Sequence, residues 1–117
     1  MAEEEITINT VRSYSSGVRG RSIANVRNHH FVVDEPWIGE AQTPAETFLA
    51  GLTACAVGLI EHVAGERGNP LSHSDVTIEG FRESANPSYF QKVEMTFQLD
   101  GVDATTARDL VAAYQSY

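Results

Sequence analysis

The sequence predicts an α+β fold in which an antiparallel sheet wraps around a long, buried central helix. Three observations predict it. Two-residue alternation of apolar and polar side chains fills the first third of the chain and returns from Asp75 onward. Between these regions lies a capped stretch whose apolar residues surround a helix instead of forming one stripe. A second capped stretch, with a single apolar stripe, follows the last strand. At 117 residues and 42% hydrophobic content, the chain is sized for one domain, residues 1–117. It contains no internal repeat or low-complexity segment.

The first strand is expected over Glu5 to Val11, where Ile6 and Ile8 share one face and Thr7 and Asn9 the other. SYSSGVRGR then supplies turn chemistry. SIANVRNHHFVVDEP offers a second extended run and a third around Phe31 to Val33, which makes the first third a β-meander. His29 and His30 end a strand in this reading, one buried and the other solvated. Pro36 stops the extension, and WIGEAQ is a short loop.

At Thr43 the pattern changes. Thr43 is placed as an N-cap, Pro44 suits the first helical position because its missing N–H costs nothing there, and Glu46 completes a capping box. Phe48, Leu49, Leu52, Cys55, Val57, Leu59, Ile60 and Val63 then spread around the whole circumference, the pattern of a helix buried on all sides. The glycines of GERGNP end it near Gly65 to Gly68. DVTIEGF and KVEMTFQLDG alternate cleanly, with Val93, Met95, Phe97 and Leu99 on one side, and Asn86-Pro87-Ser88 between them marks the turn of an antiparallel hairpin. Asp103 caps a second helix whose Ala104, Ala107, Leu110, Val111 and Tyr114 form a stripe. Tyr117 carries no stop signal, so the helix is expected to have led further. A sheet this small leaves the central helix short of cover, which points to a dimer.

Sixteen acidic against eight basic residues give a net charge of -8, which repels nucleic acid and anionic lipid. The N-terminus has neither a basic nor an apolar targeting region, and no apolar run approaches the roughly 20 residues of a membrane span. A cytoplasmic protein with no membrane partner is expected. A single cysteine, Cys55, forms no intrachain disulfide. The four histidines lack the spacing of a zinc site, so neither metal nor cofactor is expected.

HHFVVDEP, a short loop and TPAETFLAGLTAC together resemble the OsmC-like family, over about Asn28 to Gly68. That pattern is a strand ending in Asp and Pro, a glycine-containing loop, Pro-x-Glu, then Leu, Ala, Gly and a cysteine. The resemblance is to the broad OsmC-like branch more than to Ohr proper, because Glu46 lies nine residues before Cys55, where the peroxidase branches use ten and this chain has Ala45. It implies an intertwined homodimer with active sites at the interface. It also implies a thiol-dependent peroxidase, in which a cysteine on the central helix attacks an organic or inorganic hydroperoxide and a dithiol restores it. By that resemblance Cys55 is the nucleophile, Arg19 its cationic partner and Glu46 the orienting carboxylate. The family's second cysteine follows the second helix, beyond where this sequence stops, so the usual C-terminal portion is absent here.

Two readings of Cys55 stay open, a reactive thiol and a small apolar residue of a core helix. An unperturbed thiol, with a pKa of about 8.5, is only a few per cent thiolate at neutral pH, so a reactive one needs a nearby cation. Three helical turns past the N-terminus, the macrodipole offers little. Arg12, Arg19, Arg21 and Arg27 are the candidates on or between the early strands, and Arg19 in SSGVRGR best matches the family's arginine. In a straight helix Glu46 lies on the face opposite Cys55, so it orients an arginine, acts across the dimer or serves the capping box alone. His62 shares the face of Cys55 but sits about 10 Å along the helix, too far to be its base. The alternatives are an inactive OsmC-like dimer that binds a small apolar ligand at its interface cleft and, more distantly, a hotdog-type thioesterase.

Overall fold

The computed structural model describes residues 4–116. Its elements are β1 (Arg12–Ser15), β2 (Arg21–Val26), β3 (His29–Asp34), α1 (Pro44–Arg67), β4 (His73–Phe81), β5 (Lys92–Asp100) and α2 (Ala104–Gln115). The α+β expectation holds. The strands form two antiparallel sheets, one of order β1-β2-β3 and one of β4 with β5. The chain divides into two compact units, Met1–Thr47 and Phe48–Tyr117.

In the first unit the opening strand is displaced from its predicted place. Glu5 to Val11 forms no strand, and Ile6 and Ile8 stand 82% and 80% exposed. The strand is instead Arg12–Ser15, exposed throughout, paired antiparallel with Ser22 to Asn25. A strand exists where backbone groups find partners, and RSYS has them although it lacks apolar alternation. β2 and β3 turn on Arg27 and Asn28, whose φ values of 47 and 72° are those of a two-residue type I′ hairpin. That turn sets the register from Val26↔His29 to Arg21↔Asp34. His29 and His30 therefore open β3, contrary to expectation, and both are exposed because they lie beside the hairpin tip. Gly20, at φ 89°, seats the Trp37 ring, whose Cζ2 would lie 2.6 Å from any Cβ added there.

The second unit packs α1 against α2 and the β4–β5 ladder. Ile60, Val63 and Ala64 of α1 meet Leu110 of α2, with Leu71, Phe97, Leu99, Ala113 and Tyr114 around them. α1 ends where the glycines predict. Gly68, at φ 69°, donates to the Gly65 carbonyl at 3.2 Å, and Asn69 donates to Ala64 at 2.9 Å, a Schellman closure. β4 and β5 pair over nine residues, from His73↔Asp100 to Phe81↔Lys92. Met95, Phe97 and Leu99 are half-buried as the alternation implies, while Val93 at the ladder's end is exposed. Asp103 caps α2 by accepting from the Thr106 N–H at 2.8 Å, a bond that lowers the Asp103 pKa. At the other end the Ser116 N–H bonds the Ala112 and Ala113 carbonyls; Tyr117 lies outside the described residues.

The expectation that α1 is buried all round is not met within the chain. Only Ala56, Ile60, Val63 and Ala64 are buried. One amphipathic helix and a two-stranded ladder cover a single face of α1, so Phe48 remains 59% exposed and Cys55 is exposed as well. By length and composition alone, α1 is long and apolar enough to cross a membrane, which corrects the expectation that no segment qualifies. Its apolar residues are interleaved with glycine and threonine and escape a search for unbroken runs. The face bearing Ile60 and Val63 is committed to the core of this unit.

Candidate functional site

The residues singled out by sequence fall in both units. In the first, the four candidate arginines have different fates. Arg19 is exposed in the turn before β2 and makes no side-chain hydrogen bond or ion pair among the described residues. The Arg12 guanidinium lies 4.6 Å from the Tyr14 ring centroid, and Arg27 belongs to the β2–β3 turn. Arg21 is the anchored one. Its Nε donates to Asp34 Oδ1 at 2.6 Å, and its Nη2 donates to Asp34 Oδ2 at 2.9 Å and to Glu40 Oε1 at 3.2 Å.

Asp34 is wholly buried and also accepts from the Ala41 N–H at 2.9 Å, so every charge-bearing oxygen of its carboxylate is engaged. The Arg21 hydrogen bonds hold its pKa down to about 2 against the desolvation that opposes them, and the same pairing raises Arg21 above its ordinary value. The network carries on along the loop toward α1. Asp34 N–H donates to the Gln42 carbonyl at 3.0 Å, and the Gln42 amide donates to the Val32 carbonyl at 2.9 Å. The loop between β3 and α1 is thereby tied down by hydrogen bonds. Sequence reasoning named Arg21 as one of four candidates behind Arg19 and did not name Asp34. The signal was present, since a two-residue turn at Arg27-Asn28 sets Arg21 directly across from Asp34.

Glu46 forms the capping box predicted for it. Its Oε1 accepts from the Thr43 N–H at 2.8 Å, and its own N–H donates to Thr43 Oγ1 at 3.2 Å. Nine residues before Cys55 along one helix, it lies about half a turn away in angle, so its carboxylate serves the helix start.

In the second unit Cys55 projects from the uncovered face of α1, away from Ile60 and Ala64. Within the chain, nothing packs over Cys55 as a core residue would require. Thiols on such a face are accessible to small molecules and to other thiols. Phe48, two turns earlier, shares the face of Cys55. It stacks on Phe90, with centroids 6.3 Å apart and planes at 15°. On the same face toward the other end, the exposed His62 lies with its Nε2 3.7 Å from Glu66 Oε1. Among the described residues no group of three or more His, Cys, Asp or Glu could hold a metal ion.

No curated protein matches the chain. Its fold matches a protein from Aquifex aeolicus VF5 with a TM-score of 0.80 at 13% identity, covering 93% of this chain and 80% of that one. It matches an OsmC-like protein from Mycoplasma pneumoniae with a TM-score of 0.78 at 14% identity, covering 94% and 86%. An organic hydroperoxide resistance protein OsmC from Legionella pneumophila matches with a TM-score of 0.72 at 21% identity, covering 97% and 85%. At such identities the likeness is one of fold. It also disposes of the hotdog alternative, in agreement with the two strands that separate α1 from α2. The family model for OsmC-like protein matches residues 38–117, more than half of the chain, and so the chain belongs to the OsmC-like family.

Proposed function

We propose that the chain is a cytoplasmic, homodimeric, thiol-dependent peroxidase with Cys55 as its nucleophile. The observation that carries this reading is the exposed position of Cys55 on α1, in a family whose motif ends on that cysteine. The solved relative named for organic hydroperoxide resistance supports the same class of chemistry. In the reaction the Cys55 thiolate attacks one oxygen of a hydroperoxide. An S–O bond forms as the O–O bond breaks, and the leaving alkoxide takes a proton to depart as the alcohol. Cys55 is thereby oxidised to a sulfenic acid.

A dithiol completes the cycle. Its first thiol condenses with the sulfenic acid and releases water, and its second displaces Cys55 as the dithiol closes to a disulfide. Arg19, whose guanidinium has no carboxylate partner among the described residues, is the cation assigned to the thiolate; Arg21 is already shared between Asp34 and Glu40. Glu46 is assigned as the orienting carboxylate in addition to its capping role. Purified protein with a dithiol is expected to consume cumene hydroperoxide, and Cys55→Ser to abolish consumption. Full activity in Cys55→Ser would sink the reading.

The exposed Phe48 favours one rival, an inactive dimer that binds a small apolar ligand. It is separated by alkylation kinetics: iodoacetamide modifies a reactive Cys55 at neutral pH faster than free cysteine, whereas an inert one lags behind.

A further inference from the structure

The turn between β1 and β2 is fastened from several sides. Ser16 Oγ donates to the Arg21 carbonyl at 2.8 Å and accepts from the Val18 N–H at 3.1 Å, so one hydroxyl joins both arms of the turn. The Arg21 N–H donates to the Val18 carbonyl at 3.0 Å, which closes a four-residue turn with Arg19 and Gly20 at its centre. Gly20, at φ 89°, has the left-handed backbone that the third position of a type II turn requires.

A second turn is locked onto the first. Pro36 and Trp37 are the central residues of a turn closed by the Ile38 N–H, which donates to the Glu35 carbonyl at 3.0 Å, and proline in the second position presets that bend. The Glu35 N–H donates to the Gly20 carbonyl at 2.8 Å. Two residues on, the Trp37 indole meets the same glycine, with Cζ2, Cε2 and Nε1 at 2.6, 2.8 and 2.9 Å from where a Cβ would stand. Trp37 is 69% exposed, so its contact with Gly20 is not a by-product of burial in a core. Every contact that holds the two turns together lies within the first unit.

Arg19 is what these contacts leave free. It is exposed, and its guanidinium has no carboxylate partner among the described residues, whereas Arg21 is shared between Asp34 and Glu40. A charge stabilises an anion best when its place is fixed beforehand, because nothing then has to reorganise. We infer that Trp37 is a positioning residue for Arg19: by holding Gly20, it fixes the backbone from which the guanidinium extends. The inference rests on Arg19 being the cation for the Cys55 thiolate.

The test is a double-mutant cycle read by iodoacetamide alkylation of Cys55 at mildly acidic pH, where the thiolate is the species that reacts. Arg19→Met is expected to slow alkylation about tenfold, the effect of losing one neighbouring cation. Trp37→Ala, which leaves Arg19 in place, is expected to slow it about threefold, and Trp37→Phe to recover most of that loss. Added to Arg19→Met, Trp37→Ala is expected to cost nothing further, which a general loosening of the fold would not produce. Ser16→Ala unties the same turn at its other end; it is expected to behave as Trp37→Ala does and serves where that variant does not fold. The backbone amide of Arg19 is expected to show a rigid order parameter of about 0.85 in wild type and a lower one in Trp37→Ala. Equal slowing by Trp37→Ala with and without Arg19, or an order parameter that the substitution leaves unmoved, would overturn the positioning role and leave Arg19 with the thiolate. Arg19→Met without effect would overturn the assignment of Arg19 and the inference with it. Coupling intact in a protein that consumes no hydroperoxide with a dithiol would overturn the peroxidase reading and leave Trp37 in its role.

Discussion

The two units are held together by different physics. In the second, Ile60, Val63, Ala64 and Leu110 form an apolar cluster with no buried charge among them. In the first, Ala24 is the one buried apolar side chain among the described residues, and the fully buried group is a carboxylate. Asp34 with Arg21, Glu40 and the Ala41 N–H does there what close packing does in the second unit. The difference teaches where this chain is sensitive to solution conditions. Apolar burial is indifferent to pH, whereas a buried ion pair stabilises only while both partners stay charged.

Substitutions in the two places should therefore differ in kind as well as size. Ile60→Ala leaves a cavity in the apolar cluster and is expected to cost about 2 to 5 kcal/mol in urea unfolding, with nearly the same loss at pH 4 and pH 7. A loss that varied steeply with pH would break the comparison. Asp34→Asn is expected to have the next largest effect, because it leaves the Arg21 charge without its main partner. The folded pKa of Asp34 is about 2, below its ordinary 3.8. Its contribution is therefore fully present above the ordinary value and is lost as pH falls through about 2. The wild type should lose stability across that window, and Asp34→Asn should show a flatter acid profile. Identical profiles for the two proteins would show that the pair does not set the acid response of the first unit.

Smaller effects sharpen the same contrast. Thr43→Ala removes one half of the capping box and is expected to cost about 1 kcal/mol, read by thermal unfolding. Glu94→Gln removes a surface pair with Lys92 at 3.0 Å and should change stability by less than about 0.5 kcal/mol. A larger loss there would mean that exposed charges contribute more to the second unit than its apolar packing implies.

Both helices and the second unit were largely legible in the sequence. The caps at Thr43 and Asp103, the glycine stop after Arg67 and the alternation of β5 are local signals, and each was found where it was read. What escaped depended on partners. Ile6 and Ile8 alternate like a strand but pair with nothing among the described residues, while RSYS looks like a loop and pairs because β2 lies beside it. The apolar circumference of α1 was read correctly as composition, yet composition does not say how much of the cover comes from the same chain. For the candidate site, Cys55 and Glu46 were legible from a motif and a cap. The Arg21–Asp34 pair was not, because it joins residues thirteen apart through a register that one unrecognised turn decides. Trp37 was missed for a similar reason, since its meeting with Gly20 depends on how the chain after β3 folds back.

The central claim is that the exposed thiol on α1 performs the chemistry. It is tested most directly by treating reduced protein with one equivalent of cumene hydroperoxide, without reductant, and measuring intact mass with and without dimedone. The account predicts one added oxygen on Cys55, trapped as the dimedone adduct and reversed by a dithiol, and no change in Cys55→Ser. An unoxidised Cys55 after the hydroperoxide has been offered, or oxidation that persists in Cys55→Ser, would contradict it.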